Sequence, residues 1–285
     1  MMKAYVVPNA QRIKTIEAAI RAAEILLQKG CGVYMEQEFA VQVPLSGIRF
    51  ATAPECCEKS DVVITVGGDG SILHSAMISL PYGTPILGIN VGRCGFLASC
   101  EPEQMEETLD RVVRGDYQLD SRALLSITVI DGGKTEGYYA LNDVIIRNGK
   151  IQHAIDVAIT CDDIPVQNYR GDGVIVATPT GSTAYSMSAG GPILDARLNA
   201  LVVTPICPHS LQSAPMVFSA DRRLQVILDS SYPEQVLVSC DGRTGFSLNV
   251  GARIVVTLSE KHINLISFSN AEQFQAIDKK LRNRS

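Results

Sequence analysis

The sequence predicts an α/β N-terminal domain with a parallel sheet, an all-β, sandwich-like second domain, and a C-terminal helix that returns to the first domain. Three observations carry this. Over about the first 115 residues, short apolar runs rich in β-branched residues alternate with helical spacings, the signature of a parallel sheet with crossover helices. Near Ser121 the pattern changes to period-two strands and turns, as in Ile155/Val157/Ile159 against Asp156/Ala158/Thr160, which suits sheet packed on sheet. With 46% hydrophobic and 19% charged residues in 285, there is enough apolar material for a sizeable core. The expected boundaries are 1–120, 121–265 and 266–285.

Lys3 to Val7 reads as the first strand. Gln11 to Lys29 is an amphipathic helix with Ile13, Ile16, Ile20, Ala23 and Leu27 at steps of three and four, and Gly30 closes it. Val33 to Met35 is a second strand. Residues 36–60 show no clear period and contain breaks at Pro44, Gly47 and Pro54. Val62 to Val66 reads as a buried parallel strand, and Ser71 opens a short helix with Ile72, Leu73, Ala76 and Met77. Thr84 to Asn90 is a further strand. Glu103 to Arg114 is a helix with Met105, Leu109, Val112 and Val113 inward. The second domain is read as strands at 124–130, 137–147, 154–162, 173–177, 201–206, 224–229, 235–241, 253–258 and 263–268. Residues 271–282 are helical again.

Composition excludes several classes of function. A net charge of −5 opposes non-specific nucleic-acid binding and adhesion to an anionic membrane. No apolar run of about 18 residues occurs, so no membrane span is expected. The start, MMKAYVVPNA, enters a strand without the apolar core of a signal peptide. The eight cysteines make no C-x-x-C pair, and the histidines do not sit at zinc spacing. Most of these thiols stand in apolar company, as buried ones do. A reducing cytoplasm fits best, with no protein-built metal site.

Three stretches carry chemistry. The first is Gly67-Gly68-Asp69-Gly70. Strand, glycine turn and helix start bring unpaired N–H groups to one point, which favours an anion. A carboxylate at such a point needs a reason. A metal ion, or a hydroxyl to be deprotonated, would supply one; a tight turn with a solvated Asp is the plainer account. The stretch is neither a G-x-G-x-x-G fingerprint nor a Walker A loop. The second is Asn142-Asp143, whose donors and acceptors suit a sugar or a base, although Asn-Asp also simply makes turns. The third runs from Arg170 to Pro192. A buried strand there leads into Thr178-Pro179-Thr180-Gly181-Ser182-Thr183-Ala184-Tyr185-Ser186-Met187-Ser188-Ala189-Gly190-Gly191-Pro192. Its hydroxyls and exposed backbone suit a hydrogen-bonding ligand, and Tyr185 offers a ring face to a base.

Taken together, these stretches resemble the NAD kinases, which carry a G-G-D-G turn, an N-[DE] pair and a T-P-T-G-S-T-A-Y-S-x-S-A-G-G-P block in that order. Gly88-Ile89-Asn90-Val91-Gly92-Arg93-Cys94-Gly95-Phe96-Leu97-Ala98 is similar to a further motif of that family. The resemblance covers residues 60 to 245. The glycine turn alone is shared with lipid kinases and phosphofructokinases, so it is the long block that narrows the match. A diacylglycerol- or sphingoid-type lipid kinase is the alternative enzyme, but it should lack that block and offer a membrane-facing patch. A catalytically silent NAD-binding sensor is the alternative outside enzymes.

The resemblance implies transfer of the terminal phosphoryl group of ATP, or of polyphosphate, to the 2′-hydroxyl of the adenosine ribose of NAD. It implies Asp69 as proton acceptor, with Gly70 beside the dinucleotide. Asn142 and Asp143 match the ligand-binding pair. Arg170, Asp172, Thr183, Ala184, Tyr185, Ser186, Met187 and Ser188 match the block that holds adenosine and pyrophosphate. His74 and His153 fall at further contact positions. Mg²⁺ would be bound mainly through substrate phosphates. The chain would be a homodimer or homotetramer, with the third block completing a neighbour's site. Arg243 stands where several bacterial members have Gln, so no ligand contact is carried over to it. The expected site lies in the cleft between the two domains.

Overall fold

The computed structural model describes residues 1–10, 12–92, 95–149, 154–210, 213–228, 236–243, 245–249, 251–269 and 271–282. It divides into two compact units, Met1–Ser121 with His262–Ser285, and Arg122–Lys261.

The first unit is an α/β layer structure. Its elements are β1 (Lys3–Pro8), α1 (Ile13–Gln28), β2 (Gly32–Glu36), β3 (Ile48–Ala51), α2 (Ala53–Glu58), β4 (Val62–Gly67), α3 (Asp69–Ser79), β5 (Ile86–Asn90) and α4 (Met105–Arg114). The strands are parallel and run in the order β5-β4-β1-β2-β3. The order reverses between β1 and β4, because the chain goes first to one side of β1 and then to the other. In open parallel sheets, ligands bind outside the carboxyl ends of the strands at such a point.

β4 and β5 are buried along their whole length, which is why both read as unbroken apolar runs. The buried side of α1 is Thr15, Ala19, Ala22, Ala23, Ile25 and Leu26. This corrects the isoleucine stripe expected from spacing: Ile13 is 77% exposed, and Ile16, Ile20 and Leu27 are only partly buried. Small alanines let the helix backbone lie close to the sheet, and the larger side chains flank the contact. β3 and α2 occupy the stretch that showed no clear period. A capping box between Thr52 and Glu55 starts α2, a local signal that identifies a helix N-terminus.

The second unit contains β6 (Gln118–Asp131, which begins in the first unit), β7 (Lys134–Ala140), β8 (Asp143–Asn148), β9 (Ile155–Cys161), β10 (Ile164–Gly171), β11 (Gly173–Ala177), α5 (Tyr185–Ser188), β12 (Ala200–Ile206), β13 (Met216–Ser219), β14 (Leu224–Leu228), β15 (Val236–Cys240), β16 (Phe246–Leu248) and β17 (Arg253–Ser267). One layer is an antiparallel six-stranded sheet, β13-β12-β11-β8-β15-β16. The other holds β10, β9, β14 and the first part of β17, with the β6–β7 hairpin. A single apolar core joins them, with Ile127, Val157, Ile159, Val226 and Ile254 from one layer and Val144, Val174, Val176, Val203 and Val238 from the other.

Two readings of the strands change. Residues 137–147 are not one strand: β7 and β8 belong to different layers, and the chain crosses between them at Leu141-Asn142. The strands read at 253–258 and 263–268 are one long strand, β17 (Arg253–Ser267), whose end lies in the first unit with Leu265 beside Ile86 of β5. The last helix, α6 (Glu272–Arg282), also belongs to the first unit. There Lys279 pairs with Glu101 at 3.3 Å. No helix among the described residues is long and apolar enough to cross a membrane.

Candidate functional site

In the first unit the candidate residues cluster at the carboxyl ends of β1 and β4. α3 begins at Asp69, with Gly68 as its N-cap, so Asp69 belongs to the first turn of a helix rather than to a loop before Ser71. None of Gly67, Gly68 and Gly70 has a positive φ. Gly67 is required for space instead: an added Cβ would stand 2.3 Å from Ser71 Oγ. Ser71 Oγ also accepts a bond from Asn9 Nδ2 at 3.2 Å, which ties the end of β1 to the start of α3.

The Asp69 carboxylate accepts main-chain N–H groups from the segment after β5. Oδ2 takes that of Phe96 at 2.9 Å, and Oδ1 takes those of Phe96 and Leu97, each at 3.1 Å. The charge that looked out of place in an anion-binding turn is therefore balanced by two amide dipoles. The residues that follow Asp69 on α3, Gly70, Ser71 and His74, line a cavity of about 280 Å³ together with Pro8, Asn9 and Glu36. It occupies the point where the strand order reverses. His74 is exposed on α3. Glu36 accepts the phenol O–H of Tyr5 at 2.6 Å, and Glu38 is also on the wall.

In the second unit the crossing at Asn142 is clamped from two directions. Thr178, directly after β11, donates its hydroxyl to Leu141 O at 2.6 Å and its N–H to Asn142 O at 2.9 Å. Asp241, at the end of β15, accepts the N–H groups of Leu141, Asn142 and Asp143 at 2.8, 2.7 and 3.2 Å. Asp241 has a φ of 52°, a left-handed conformation that Asp adopts more readily than most residues. Its own N–H donates back to Asp143 O at 2.9 Å.

Asp143 is itself buried, with 4% exposure. Burial, and then the neighbouring Asp241 carboxylate, push its pKa up to about 7. Burial also pushes Asp241 upward, but the three amides and Arg243 pull it back. With three amides and Arg243 favouring its charged form, Asp241 is the more readily ionised member of the pair, and Asp143 the more readily protonated. Arg243 lies 4.0 Å from Asp241. Asp241 is not among the candidate site residues of the sequence. A buried-strand ending followed by Asp-Gly was the available signal, and it does not say which amides the Asp will meet.

The hydroxyl-rich segment is more internal than its composition suggests. β11 is buried on both faces. Val174 and Val176 enter the sandwich core, while Ile175 and Ala177 pack with Val202 and Ile206 under Ala189 and Leu194. The segment thus lies over the outer face of the six-stranded sheet, and its hydroxyls are taken up in bonds within the segment and to β12. Ser182 Oγ donates to Pro179 O at 2.6 Å, Thr183 Oγ1 to Thr180 O at 3.0 Å, and Ser186 Oγ meets Thr204 Oγ1 at 2.8 Å. Thr183 and Ser186 are buried, Ala184 and Met187 are half-buried, and Tyr185 and Ser188 are exposed.

Arg170 and Asp172 are exposed and stand elsewhere. They precede β11, whereas Asn142 and Thr178 lie at its far end, where Ala177 pairs with Asp143. Six steps of extended chain separate Asp172 from Thr178, roughly 20 Å at the rise of a strand. Asp172 instead bonds the thiol of Cys207, which raises that thiol's pKa. His153 lies outside the described residues.

The order and spacing of these clusters match known proteins over nearly the whole chain. The ATP-NAD kinase N-terminal domain family matches residues 5–117, and the ATP-NAD kinase C-terminal domain family matches residues 141–268. The chain belongs to the NAD kinase family. An NAD kinase from Caldanaerobacter subterraneus subsp. tengcongensis is 34% identical over 287 residues, covering 100% of both chains. One from Heliobacterium modesticaldum is 34% identical over 284 residues, 97% of each. The crystal structure of an NAD kinase from Archaeoglobus fulgidus in complex with ATP superposes with a TM-score of 0.77 at 29% identity, covering 99% of each chain. The yeast NADH kinase complexed with NADH reaches a TM-score of 0.91 over 99% of this chain and 87% of that one, at 23% identity, and so shows the shared fold. As a member of the NAD kinase family the chain is a phosphotransferase.

Proposed function

We propose that this chain transfers the terminal phosphoryl group of ATP to the 2′-hydroxyl of the adenosine ribose of NAD. NAD and ATP give NADP, ADP and a proton. The observation that carries the reading is the Asp69 carboxylate, held by two amides at the start of α3, whose next residues Gly70 and Ser71 line the cavity at the strand-order reversal. Phosphoryl transfer passes through a loose transition state, so positioning and charge neutralisation dominate. Asp69 orients the ribose hydroxyl and takes its proton late in the transfer. Gly70, with no Cβ, lets a ligand approach the first turn of α3. His74 serves the same cavity. The ATP complex of the Archaeoglobus fulgidus protein supports ATP as donor; polyphosphate is a second donor to be tested.

In the second unit, Asn142 and Asp143 bind the dinucleotide. A protonated Asp143 donates a hydrogen bond where an ionised one could only accept. Tyr185 stacks on a base, and Ala184, Met187 and Ser188 line the same surface. Thr183 and Ser186 contribute by holding that segment in place. Arg170 and Asp172 are too far along β11 to join Asn142 around one small ligand within a chain. That separation favours a homo-oligomer, dimer or tetramer, in which they complete a neighbour's site. His153 is assigned to the same ligand by the resemblance. Free buried thiols such as Cys31, Cys56, Cys57 and Cys100 suit a reducing cytoplasm.

A divalent metal fits this site as a companion of the donor. Among the described residues there is no group of three metal-ligating side chains. Glu36 and Glu38 on the cavity wall suit Mg²⁺, which takes one or two carboxylates and keeps its remaining positions for water and phosphates. When bound, it neutralises triphosphate charge.

The test is incubation of the full chain with NAD, ATP and Mg²⁺, with NADP read by an NADP-specific dehydrogenase. NADP is expected to accumulate. No NADP with either ATP or polyphosphate overturns the proposal.

A further inference from the structure

Asp69 and Gly95 are 26 residues apart, yet no side chain would fit between them. An ideal Cβ on Gly95 would stand 2.0 Å from Asp69 Oδ1, 2.7 Å from Cγ and 3.0 Å from Oδ2. These distances are far inside van der Waals contact. The φ of Gly95 is not positive, so glycine is needed here for space and not for backbone conformation. We propose that Gly95 and the two amides that follow it are a positioning element for the Asp69 carboxylate, so that turnover depends on Gly95 through Asp69. This rests on Asp69 being the proton acceptor.

The geometry is that of a small nest. Successive N–H groups of Phe96 and Leu97 converge on one carboxylate and engage both of its oxygens. Two donors from adjacent residues select one orientation of the carboxylate plane. The lone pairs they do not use are then directed consistently, which is what a proton acceptor requires: it must stand within hydrogen-bond reach of the hydroxyl. A displacement of about 1 Å costs on the order of 100-fold in rate. The segment is fastened on both sides. Before it, Val91 N donates to Gly67 O at 2.9 Å and Asn90 N to Cys100 O at 2.8 Å. After it, Ser99 and Cys100 N–H groups both reach Gly88 O at 3.2 Å, and Ser99 Oγ donates to Ile266 O at 2.7 Å. The chain is therefore tied down at Asn90-Val91 before the nest and at Ser99-Cys100 after it.

Gly95→Ala would drive the carboxylate out of the nest while leaving it in the protein. Three variants test this: Gly95→Ala, Asp69→Asn and the double variant, with kcat and KM for NAD measured alongside thermal unfolding. Gly95→Ala is expected to lower kcat by about 10- to 100-fold with KM for NAD changed by less than about 3-fold. The double variant is expected to be no slower than Asp69→Asn alone, because Gly95 acts through that carboxylate. A Gly95→Ala kcat within two-fold of the wild type, or losses that multiply in the double variant, overturns the proposal. Near-normal turnover in Asp69→Asn would instead remove Asp69 from the reaction, which is a different failure. Should Gly95→Ala not fold, Asp69→Glu keeps the charge and the helix but overreaches the nest. It is expected to lose at least about 100-fold in kcat, and wild-type kcat in that variant overturns the proposal equally.

Discussion

Asp241 Oδ1 accepts the main-chain N–H of Asn142 at 2.7 Å, across 99 positions of sequence. The same carboxylate holds the N–H groups on either side, so one side chain shapes the whole Leu141-Asn142-Asp143 crossing.

Removing that carboxylate should damage both stability and ligand binding. Asp241→Ala strands three partly buried donors, each worth roughly 1–3 kcal/mol when left unpaired. The expected loss is about 2–4 kcal/mol after relaxation, with KM for NAD raised about 10-fold or more. Asp241→Asn keeps one acceptor oxygen and should fall between. Denaturant unfolding and steady-state kinetics on both variants check this; an unchanged KM in Asp241→Ala would detach the clamp from binding.

Asp143 makes stability depend on pH. Its pKa is about 7 in the folded chain and about 4 when unfolded. Between these values the folded state holds a proton that the unfolded state has lost. The stabilisation linked to that proton is fully present below about pH 4 and disappears as pH rises through about 7. Asp143→Asn removes this titration. Its stability relative to the wild type should therefore rise from pH 5 to pH 8, by on the order of 2–4 kcal/mol. Urea unfolding at several pH values measures the gap; parallel curves would show that Asp143 does not titrate in this range.

Gly181 fixes the other side of the crossing. A Cβ there would lie 2.0 Å from Asn142 O and 2.4 Å from its carbonyl carbon. Both are backbone atoms and cannot swing aside. Gly181→Ala should destabilise by about 1–3 kcal/mol and raise KM for NAD. Gly137→Ala, where nothing lies within 4 Å of the added atom, is the control and should change neither. Thermal unfolding and NAD titration of the pair decide the point.

Metal removal should separate chemistry from folding. With no group of three metal-ligating side chains among the described residues, EDTA should abolish NADP formation and leave the Tm of the ligand-free protein unchanged within about 1 °C. A fall of several degrees would show that the fold itself holds a metal. Differential scanning calorimetry with and without chelator reads this directly.

The layer structure was legible in the sequence because its signals are local. β4 and β5 read as unbroken apolar runs since both faces are covered, and β9 alternates since one face is buried. Where a signal serves two structures, the reading slipped. Residues 137–147 look like one strand because apolar residues stand on both sides of Asn142-Asp143, yet the chain changes layer there, as the turn-forming pair allows. The α1 stripe slipped for a related reason. Isoleucine spacing marks an apolar face, but close packing on the sheet chose the alanine side.

By itself the sequence determined the fold class, the family and the residue types gathered for the chemistry. Glycines at a strand end, an Asn-Asp pair and a hydroxyl-rich run are properties of short stretches. Only the tertiary structure decided which atoms face one another. It turned Asp69 toward the Phe96 and Leu97 amides, put Asp241 against Asn142, directed Ser186 inward to Thr204, and left Arg170 and Asp172 at the far end of β11 from Thr178. Those outcomes depend on strand order and register. Periodicity tells which residues share a face of a strand, and it does not tell which other strand lies beside it.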